Sequence, residues 1–129
     1  MRSGRSNGLK VLVVDDAVVT RLRLCQLLSE SSPVEVLGCG AEPEVALPAF
    51  RLFNPDCVVI DVPARNVAGY ELLSQLRAQS ASCFIVVLTN QQSAEFERRS
   101  LEAGANEFLC KSSDFERVPE RVRALEVSR

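Results

Sequence analysis

The sequence predicts an α/β fold in which helices cover both faces of a doubly wound, five-stranded parallel sheet. Short apolar runs alternate five times with segments of helical periodicity along the 129 residues. The apolar runs are continuous, which is typical of strands covered on both faces. Helices between successive strands supply the right-handed crossovers of a doubly wound sheet. Among the common strand orders we expect 2-1-3-4-5.

Each predicted strand is a short run of β-branched and other apolar residues. Acidic residues close the first and third runs, and Pro33 and Gly40 bound the second. The strands are predicted over KVLVV (10–14), VEVLGC (34–39), DCVVID (56–61), CFIVVLT (83–89) and EFLCK (107–111).

Each predicted helix carries apolar residues three or four positions apart. Gly104 is a natural C-cap for the fourth helix. Pro48 removes an interior hydrogen bond of the second helix and should kink or shorten it, and Pro119 should break or kink the last helix. The helices are predicted over VVTRLRLCQLL (18–28), EPEVALPAFRLF (42–53), GYELLSQLRAQ (69–79), SAEFERRSLEAGA (93–105) and DFERVPERVRALEV (114–127).

The composition predicts one globular domain over residues 9–129, preceded by a flexible tail over residues 1–8. Hydrophobic residues make up 47% of the chain and charged residues 25%. A net charge of −2 gives no global field for nucleic acid, so we expect no direct nucleic-acid binding by this domain. No apolar stretch approaches the ~18 residues of a membrane span, and the start has no secretory signal. We expect a cytoplasmic protein without a membrane partner.

The cysteine and histidine content limits the chemistry. The five cysteines form no Cys-x-x-Cys pair and lie in or beside apolar segments, so we interpret them as core thiols of a reducing compartment. The chain has no histidine, which excludes Ser-His-Asp and Cys-His nucleophilic sites and His-ligated zinc. Any chemistry must therefore come from carboxylates, lysine, threonine and the backbone.

Polar residues follow four of the five predicted strands at the point where each strand ends. They are Asp15, Asp16, Asp61, Thr89, Asn90 and Lys111. Most of them have an ordinary explanation when taken alone; Asp16, for example, could cap the following helix. Asp61 has none of this kind, because no helix is predicted to start directly after it. Ligands of open α/β sheets bind beyond the carboxyl ends of the strands, and parallel strands bring these ends to one edge. Their convergence favours a functional site.

Three carboxylates at one edge require a cation. At ~4 Å each like-charged pair costs about 4 kcal/mol at an effective dielectric constant near 20. Ligation by oxygen alone favours Mg²⁺ or Mn²⁺ over zinc. A metal ion with Lys111 beside Asp61 suits phosphate oxygens, and it makes Asp61 a candidate nucleophile that forms an aspartyl phosphate.

Four segments, taken in order, resemble the receiver domains of two-component response regulators, which have a flavodoxin-like fold. These are VLVVDD, VVIDVPARNVAGYELL, VVLTN and FLCK, and the resemblance covers about residues 8 to 127. It implies that Asp61 is the phosphoacceptor and that the donor is a phosphohistidine on a sensor histidine kinase or histidine phosphotransfer protein. It also implies that this phosphorelay module is not an enzyme beyond its own phosphotransfer and slow autodephosphorylation.

The same resemblance implies a role for each remaining residue. Asp16 would bind Mg²⁺ directly and Asp15 largely through water, together with Asp61 and the backbone carbonyl of Pro63. Thr89 would bind the attached phosphoryl group as part of the catalytic and switch machinery, and Lys111 would pair with that group. Phe108 stands at the position of the switch aromatic residue.

Three residues depart from the pattern of the family. Arg65 stands where many receivers have proline, and a proline comes earlier, at Pro63. Ser112 replaces the proline that usually follows the lysine in a cis peptide bond, so we expect a trans bond or a compensated cis bond. Asn90 replaces a small residue and should slow phosphorylation by small donors.

Three alternatives remain open at this point. The first is a degenerate receiver-like module that signals by binding without phosphorylation. The second is a phosphatase of the haloacid dehalogenase class, which needs an acid where Pro63 stands. The third is a flavodoxin, but the acidic DDAVVT loop would repel its phosphate.

A charged face on the last two helices is either a solvated surface or the interface of a phosphorylation-dependent homodimer. It consists of Arg98, Arg99, Glu102, Glu116, Arg117, Glu120 and Arg121. An output domain after Arg129 could bind DNA, and the sequence does not identify the cognate kinase or its signal.

Overall fold

Five parallel strands form one sheet in the order β2-β1-β3-β4-β5, as expected, in a computed structural model that describes residues 8–31, 34–62, 67–91 and 93–127. Helices lie on both faces, which confirms the predicted flavodoxin-like class. In chain order the elements are β1 (Lys10–Val14), α1 (Val18–Ser31), β2 (Glu35–Cys39), α2 (Pro43–Phe53), β3 (Cys57–Ile60), α3 (Val67–Gln79), β4 (Phe84–Thr89), α4 (Ala94–Ala103), β5 (Glu107–Cys110), α5 (Lys111–Asp114) and α6 (Arg117–Val127).

The parallel register brings the carboxyl ends of the strands to one level. Val14 at the end of β1 pairs with Ile60 at the end of β3. Thr89 at the end of β4 pairs with Cys110, the residue before Lys111. Side chains that follow these strands therefore emerge at the same edge of the sheet.

Alternate residues of the strands supply two apolar clusters, one on each face of the sheet. Leu12 and Val58 pack in the cluster that includes residues of α2, α3 and α4. Val11 and Val59 pack in the other cluster, with residues of α1 and α6. The edge strand β2 differs from the interior strands, because its Glu35 and Leu37 are exposed. It has a neighbouring strand on one side alone, so the expected burial on both faces holds for β1, β3 and β4.

The proline predictions differ from the structure in detail. α2 runs without interruption through Pro48 and is not shortened. The last predicted helix (114–127) begins later than expected, since α6 starts at Arg117. Residues 111–114 form the separate one-turn helix α5, which includes Lys111 from the predicted fifth strand, and residues 115–116 separate α5 from α6. Pro119 is the third residue of α6, where its missing N–H costs no intrahelical hydrogen bond. The division therefore precedes Pro119, whose ring is compatible with the first turn of a helix.

All five cysteines are free, as expected for core thiols. Cys57, Cys83 and Cys110 are buried, and Cys25 and Cys39 are half-buried. Burial raises the pKa of the Cys83 thiol to about 12 and raises that of Cys57 far above its usual value. These thiols fill space in the core and are poor nucleophiles. Among the described helices, none has both the length and the apolar character needed to cross a bilayer.

One guanidinium group joins three segments at the amino edge of the sheet. Arg77, in the last turn of α3, donates to the carbonyl oxygens of Ser80, Ala81, Cys83 and Gly104 and to Oδ1 of Asn106, at 2.7–3.1 Å. Gly104 caps α4, as predicted, with φ of 131°. A Cβ atom there would lie 2.8 Å from Cβ of Arg77, so the glycine serves both the backbone conformation and the close approach.

We expect Arg77→Lys to lower the free energy of unfolding by about 2–3 kcal/mol, because an ammonium cannot reproduce a fork of donors to several carbonyls. Arg98→Lys is the matched control, since Arg98 pairs on the surface with Glu102 at 3.0 Å. Its cost should stay below about 0.5 kcal/mol. Urea unfolding measures both values, and equal losses would contradict the role assigned to Arg77.

Candidate functional site

The backbone carries the two central carboxylates to the same level. The amide of Asp15 donates to the carbonyl of Cys39 at 2.9 Å, and the amide of Asp61 donates to the carbonyl of Val14 at 2.9 Å. Both bonds continue the parallel ladder by one residue beyond the strands. The side chains of Asp15 and Asp61 consequently leave adjacent strands side by side.

Lys111 bridges these two carboxylates. Its Nζ lies 2.8 Å from Oδ2 of Asp15 and 2.7 Å from Oδ2 of Asp61. The side chains of Lys111 and Asp15 are 13% and 7% exposed, and that of Asp61 is 23% exposed, so water screens these pairs little. Burial alone would lower the pKa of Lys111, but its hydrogen bonds and ion pairs with the two carboxylates outweigh burial and raise the pKa. The ammonium is therefore charged at neutral pH.

The adjacent acids Asp15 and Asp16 face in different directions. Oδ1 of Asp15 accepts from the amide of Ala17 at 2.8 Å, and its Oδ2 meets Lys111. Oδ1 of Asp16 accepts from the amide of Ala41, in the loop between β2 and α2, at 2.8 Å. Asp16 is exposed and is held by this loop. The structure thus assigns the Asp16 side chain to Ala41 and not to the first amides of α1.

The predicted site residues line a cavity of about 310 Å³ at the carboxyl edge of the sheet. Thr89 is buried, and its Oγ1 accepts from the amide of Gln91 at 3.1 Å, which leaves the hydroxyl hydrogen to donate. Asn90 is exposed and also lines a second cavity, of about 250 Å³, that reaches Lys111. The first cavity is lined by Asp15, Asp16, Asp61, Val62, Thr89, Asn90 and Gln91.

The donor atoms fit a hard cation that keeps much of its water. Among the described residues, no group of three acidic, cysteine or histidine side chains is close enough to surround a metal ion. One oxygen of Asp16 accepts from the amide of Ala41. Mg²⁺ is usually held by one or two carboxylates and several waters, and carboxylate oxygens of this kind line the cavity. Pro63, the predicted carbonyl ligand, and Arg65 lie outside the described residues.

Phe108 lies on the side of β5 that faces α4. Its ring packs edge-on against Phe96 with 5.2 Å between centroids, and Phe96 packs edge-on against Tyr70 of α3 at 6.0 Å. Phe108 is half-buried and lines a cavity of about 500 Å³ with residues of α4 and α5. The ring therefore has a packed face and an open face.

Two features of the site have no clear signal in the sequence. The first is the one-turn helix α5, which begins at Lys111 itself. The peptide bond between Lys111 and Ser112 is trans, one of the two expected forms. Asp114 stabilises this turn, because its Oδ2 accepts from the amide of Cys110 at 3.0 Å. The second feature is Arg21, whose guanidinium donates to the carbonyl of Asp15. No spacing rule marks an arginine in a helix as a partner of the preceding loop.

Comparison with known proteins assigns the chain to a protein family. Residues 11–123 match the model of the response regulator receiver domain. The chain belongs to this family. Receiver domains are signalling modules of two-component systems, they generally bind Mg²⁺ at an acidic pocket, and histidine kinases are their general partners.

Individual relatives agree with this assignment. The protein-glutamate methylesterase/protein-glutamine glutaminase of Nitrosomonas europaea is 31% identical over 104 residues, which cover 80% of this chain and 29% of that protein. The response regulator protein VraR of Staphylococcus aureus is 27% identical over 89% of this chain and 55% of its own length. The chain thus spans about a third to a half of these relatives.

Solved structures show the same fold. The chemotaxis protein CheY4 of Vibrio cholerae is 27% identical, with a TM-score of 0.77 over 91% of this chain and 98% of that chain. A LuxR-family two-component response regulator from Aurantimonas is 25% identical, with a TM-score of 0.80 over 95% of this chain and 87% of that chain.

Removing Lys111 should expose the repulsion that it offsets. In Lys111→Met, Asp15 and Asp61 keep their places without a cation, and we expect a loss of about 3 kcal/mol in the free energy of unfolding. Added Mg²⁺ should stabilise the variant more than the parent. Urea unfolding with Mg²⁺ and with a chelator measures both effects.

Lys10→Met provides the control, since Lys10 is the other lysine of the chain. Its Nζ donates to the carbonyl of Phe53 at the amino end of β1, away from Asp15 and Asp61. Its loss should be smaller and independent of Mg²⁺. A Mg²⁺ response that is the same in both variants would show that Lys111 does not offset the carboxylate charge.

Proposed function

We propose that this receiver domain accepts a phosphoryl group on Asp61 from a phosphohistidine of a sensor histidine kinase or a histidine phosphotransfer protein. The supporting observation is the position of Asp61, in a cavity wall beside Asp15, with Nζ of Lys111 at 2.7 Å. Among the described residues Lys111 is the donor that Asp61 contacts, through Oδ2, so Oδ1 is available for attack. The new O–P bond forms as the N–P bond breaks, and the leaving imidazole keeps the electron pair and takes a proton.

The neighbouring residues supply charge and hydrogen bonds for this transfer. Asp16, Asp61 and the carbonyl of Pro63 would hold Mg²⁺ (or Mn²⁺) directly, and Asp15 would act on it largely through water. The ion would supply positive charge for the phosphoryl oxygens when bound. The positively charged ammonium of Lys111 can move from the two carboxylates to the phosphoryl group. The hydroxyl hydrogen of Thr89 is free to donate to the same group, because Oγ1 already accepts from Gln91.

The proposed switch links Thr89 to Phe108 through adjacent strands. Val87 pairs with Phe108 and Thr89 with Cys110. A movement at the end of β4 can therefore be transmitted directly to β5. Contact between Thr89 and the phosphoryl group would favour a state in which Phe108 turns inward and the surface of α4 and β5 repacks. This is a population shift that the phosphoryl contacts bias.

A module that binds partners without phosphorylation is the second candidate. The retained charges argue against it, since Lys111 contacts both Asp15 and Asp61 at the wall of a cavity. Apolar side chains of similar volume would stabilise a purely structural domain at least as well. We propose no enzymatic activity beyond phosphotransfer and slow autodephosphorylation. The methylesterases are matched over about 30% of their length, so their activity is not transferred to this chain.

The charged face of the last helices is the candidate partner surface. Charges on the proposed dimer face pair within the chain: Arg98 with Glu102, Arg99 with Glu95, Arg117 with Asp114, and Arg121 with Glu107. A phosphorylation-dependent homodimer would have to exchange these pairs, and a solvated surface would keep them. Five free cysteines support a reducing, cytoplasmic location.

Asp61 should be the residue that acquires the modification. The parent should gain the mass of one phosphoryl group from acetyl phosphate in the presence of Mg²⁺, and Asp61→Asn should gain none. Asp56→Asn is the control, because Asp56 lies before β3, where its Oδ2 accepts from the amide of Lys10. Labelling of Asp61→Asn at the rate of the parent would refute the assignment, and an unlabelled parent would favour the non-phosphorylated module.

Replacing Asn90 should accelerate phosphorylation by small donors. Its exposed side chain lies where the two cavities meet, so Asn90→Ala should widen access to Asp61. We expect a several-fold rise in rate, corresponding to less than about 1.4 kcal/mol of barrier. Gln75→Ala is the control, since Gln75 is exposed on α3 and lines neither cavity. Phosphorylation rates with acetyl phosphate test this, and an equal or lower rate for Asn90→Ala would contradict the access argument.

A further inference from the structure

Arg21 lies in the first turns of α1, and its side chain reaches back to the loop that carries the paired acids. Nη1 donates to the carbonyl oxygen of Asp15 at 2.6 Å, six residues earlier in the chain. Arg21 is half-buried as a residue, and this bond is partly shielded from water. A charged donor makes it stronger than an ordinary backbone contact.

The neighbouring strand leaves room for this side chain. A Cβ atom at Gly38 of β2 would lie 3.1 Å from Cδ of Arg21 and 3.6 Å from both its Cβ and its Nε. Any side chain at position 38 would therefore press on the stem of Arg21. The glycine lets Arg21 cross the end of β2 on its way to the acidic loop.

The bond from Arg21 completes a set that holds the peptide between the two acids. The amide of Asp15 is held by Cys39, and the carboxylate oxygens of Asp15 and Asp16 accept from Ala17 and Ala41. The carbonyl of Asp15 belongs to the peptide unit that joins the acids, so its orientation affects the directions of both side chains. The guanidinium of Arg21 donates a hydrogen bond to that carbonyl.

We propose that Arg21 is a positioning residue that orients the Asp15–Asp16 peptide for Mg²⁺ binding, an inference that rests on the proposed function. Orientation and charge make opposite predictions here. A positive guanidinium near a cation site repels the cation, so a role through charge alone predicts tighter Mg²⁺ binding when Arg21 is neutralised. A positioning role predicts weaker binding, because the carboxylates lose their arrangement.

Calorimetric titration with Mg²⁺ alone distinguishes the positioning role of Arg21 from a role through its charge. Arg21→Met should weaken Mg²⁺ binding about 10-fold, the effect expected for a residue that orients metal ligands. Arg21→Lys keeps the charge and one reachable donor and should recover part of the affinity. Arg23→Met removes the same charge from the same helix, where Arg23 stacks over Phe115 at 4.2 Å, and should change affinity less than about twofold.

A second variant tests the path of the side chain without deleting it. Gly38→Ala should weaken Mg²⁺ binding in the parent and have no further effect in Arg21→Met, because its effect acts through the arginine. Unchanged or tighter binding by Arg21→Met, or equal weakening by Arg23→Met, would overturn the inference alone. A parent that binds no Mg²⁺ would overturn the proposed function as well.

Discussion

The contact between one ammonium and two carboxylates determines how the rest of the site can be arranged. The parallel register sets Asp15 and Asp61 side by side, in positions where like charges repel. Lys111 comes directly after β5 and reaches both of them, at 2.8 and 2.7 Å. These bonds hold the loops after three strands in fixed relation. Charge compensation within the chain lets the acidic edge fold, and the same ammonium is in position to pair with a phosphoryl group.

The parts of the site that follow from strand order could be predicted from the sequence. Continuous apolar runs mark the strands, and residues after parallel strands must share one edge, so the grouping of Asp61, Thr89 and Lys111 needed no side-chain detail. The five strands and the cap at Gly104 follow from similarly local signals, whereas the order of the sheet is expected because it is common among doubly wound sheets. These features depend on backbone periodicity and chain direction, which a single sequence records well.

Features that depend on side-chain direction across loops could not be predicted. Asp16 and Asp15 are neighbours in sequence, yet one carboxylate meets Ala41 and the other meets Lys111. The contacts of Arg21 and Arg77 join residues on different elements, and most of their partners are backbone carbonyls, which every residue possesses. Composition and spacing therefore carry no mark of them. The one-turn helix α5, which the sequence did not indicate, is stabilised in a similar way by Asp114, whose carboxylate accepts from the amide of Cys110.

The position of β5 explains how a charge change at the site could reach a distant surface. β5 is an edge strand that pairs with β4 alone, so a shift of its carboxyl end breaks no ladder on its outer side. Lys111 follows it directly, and Phe108 lies three residues earlier, packed on Phe96 of α4. Phe96 in turn contacts Tyr70 of α3, whose ring lies under Arg99 at 4.2 Å. A lysine drawn from two carboxylates toward a phosphoryl group would thus pull on the strand that positions this aromatic chain.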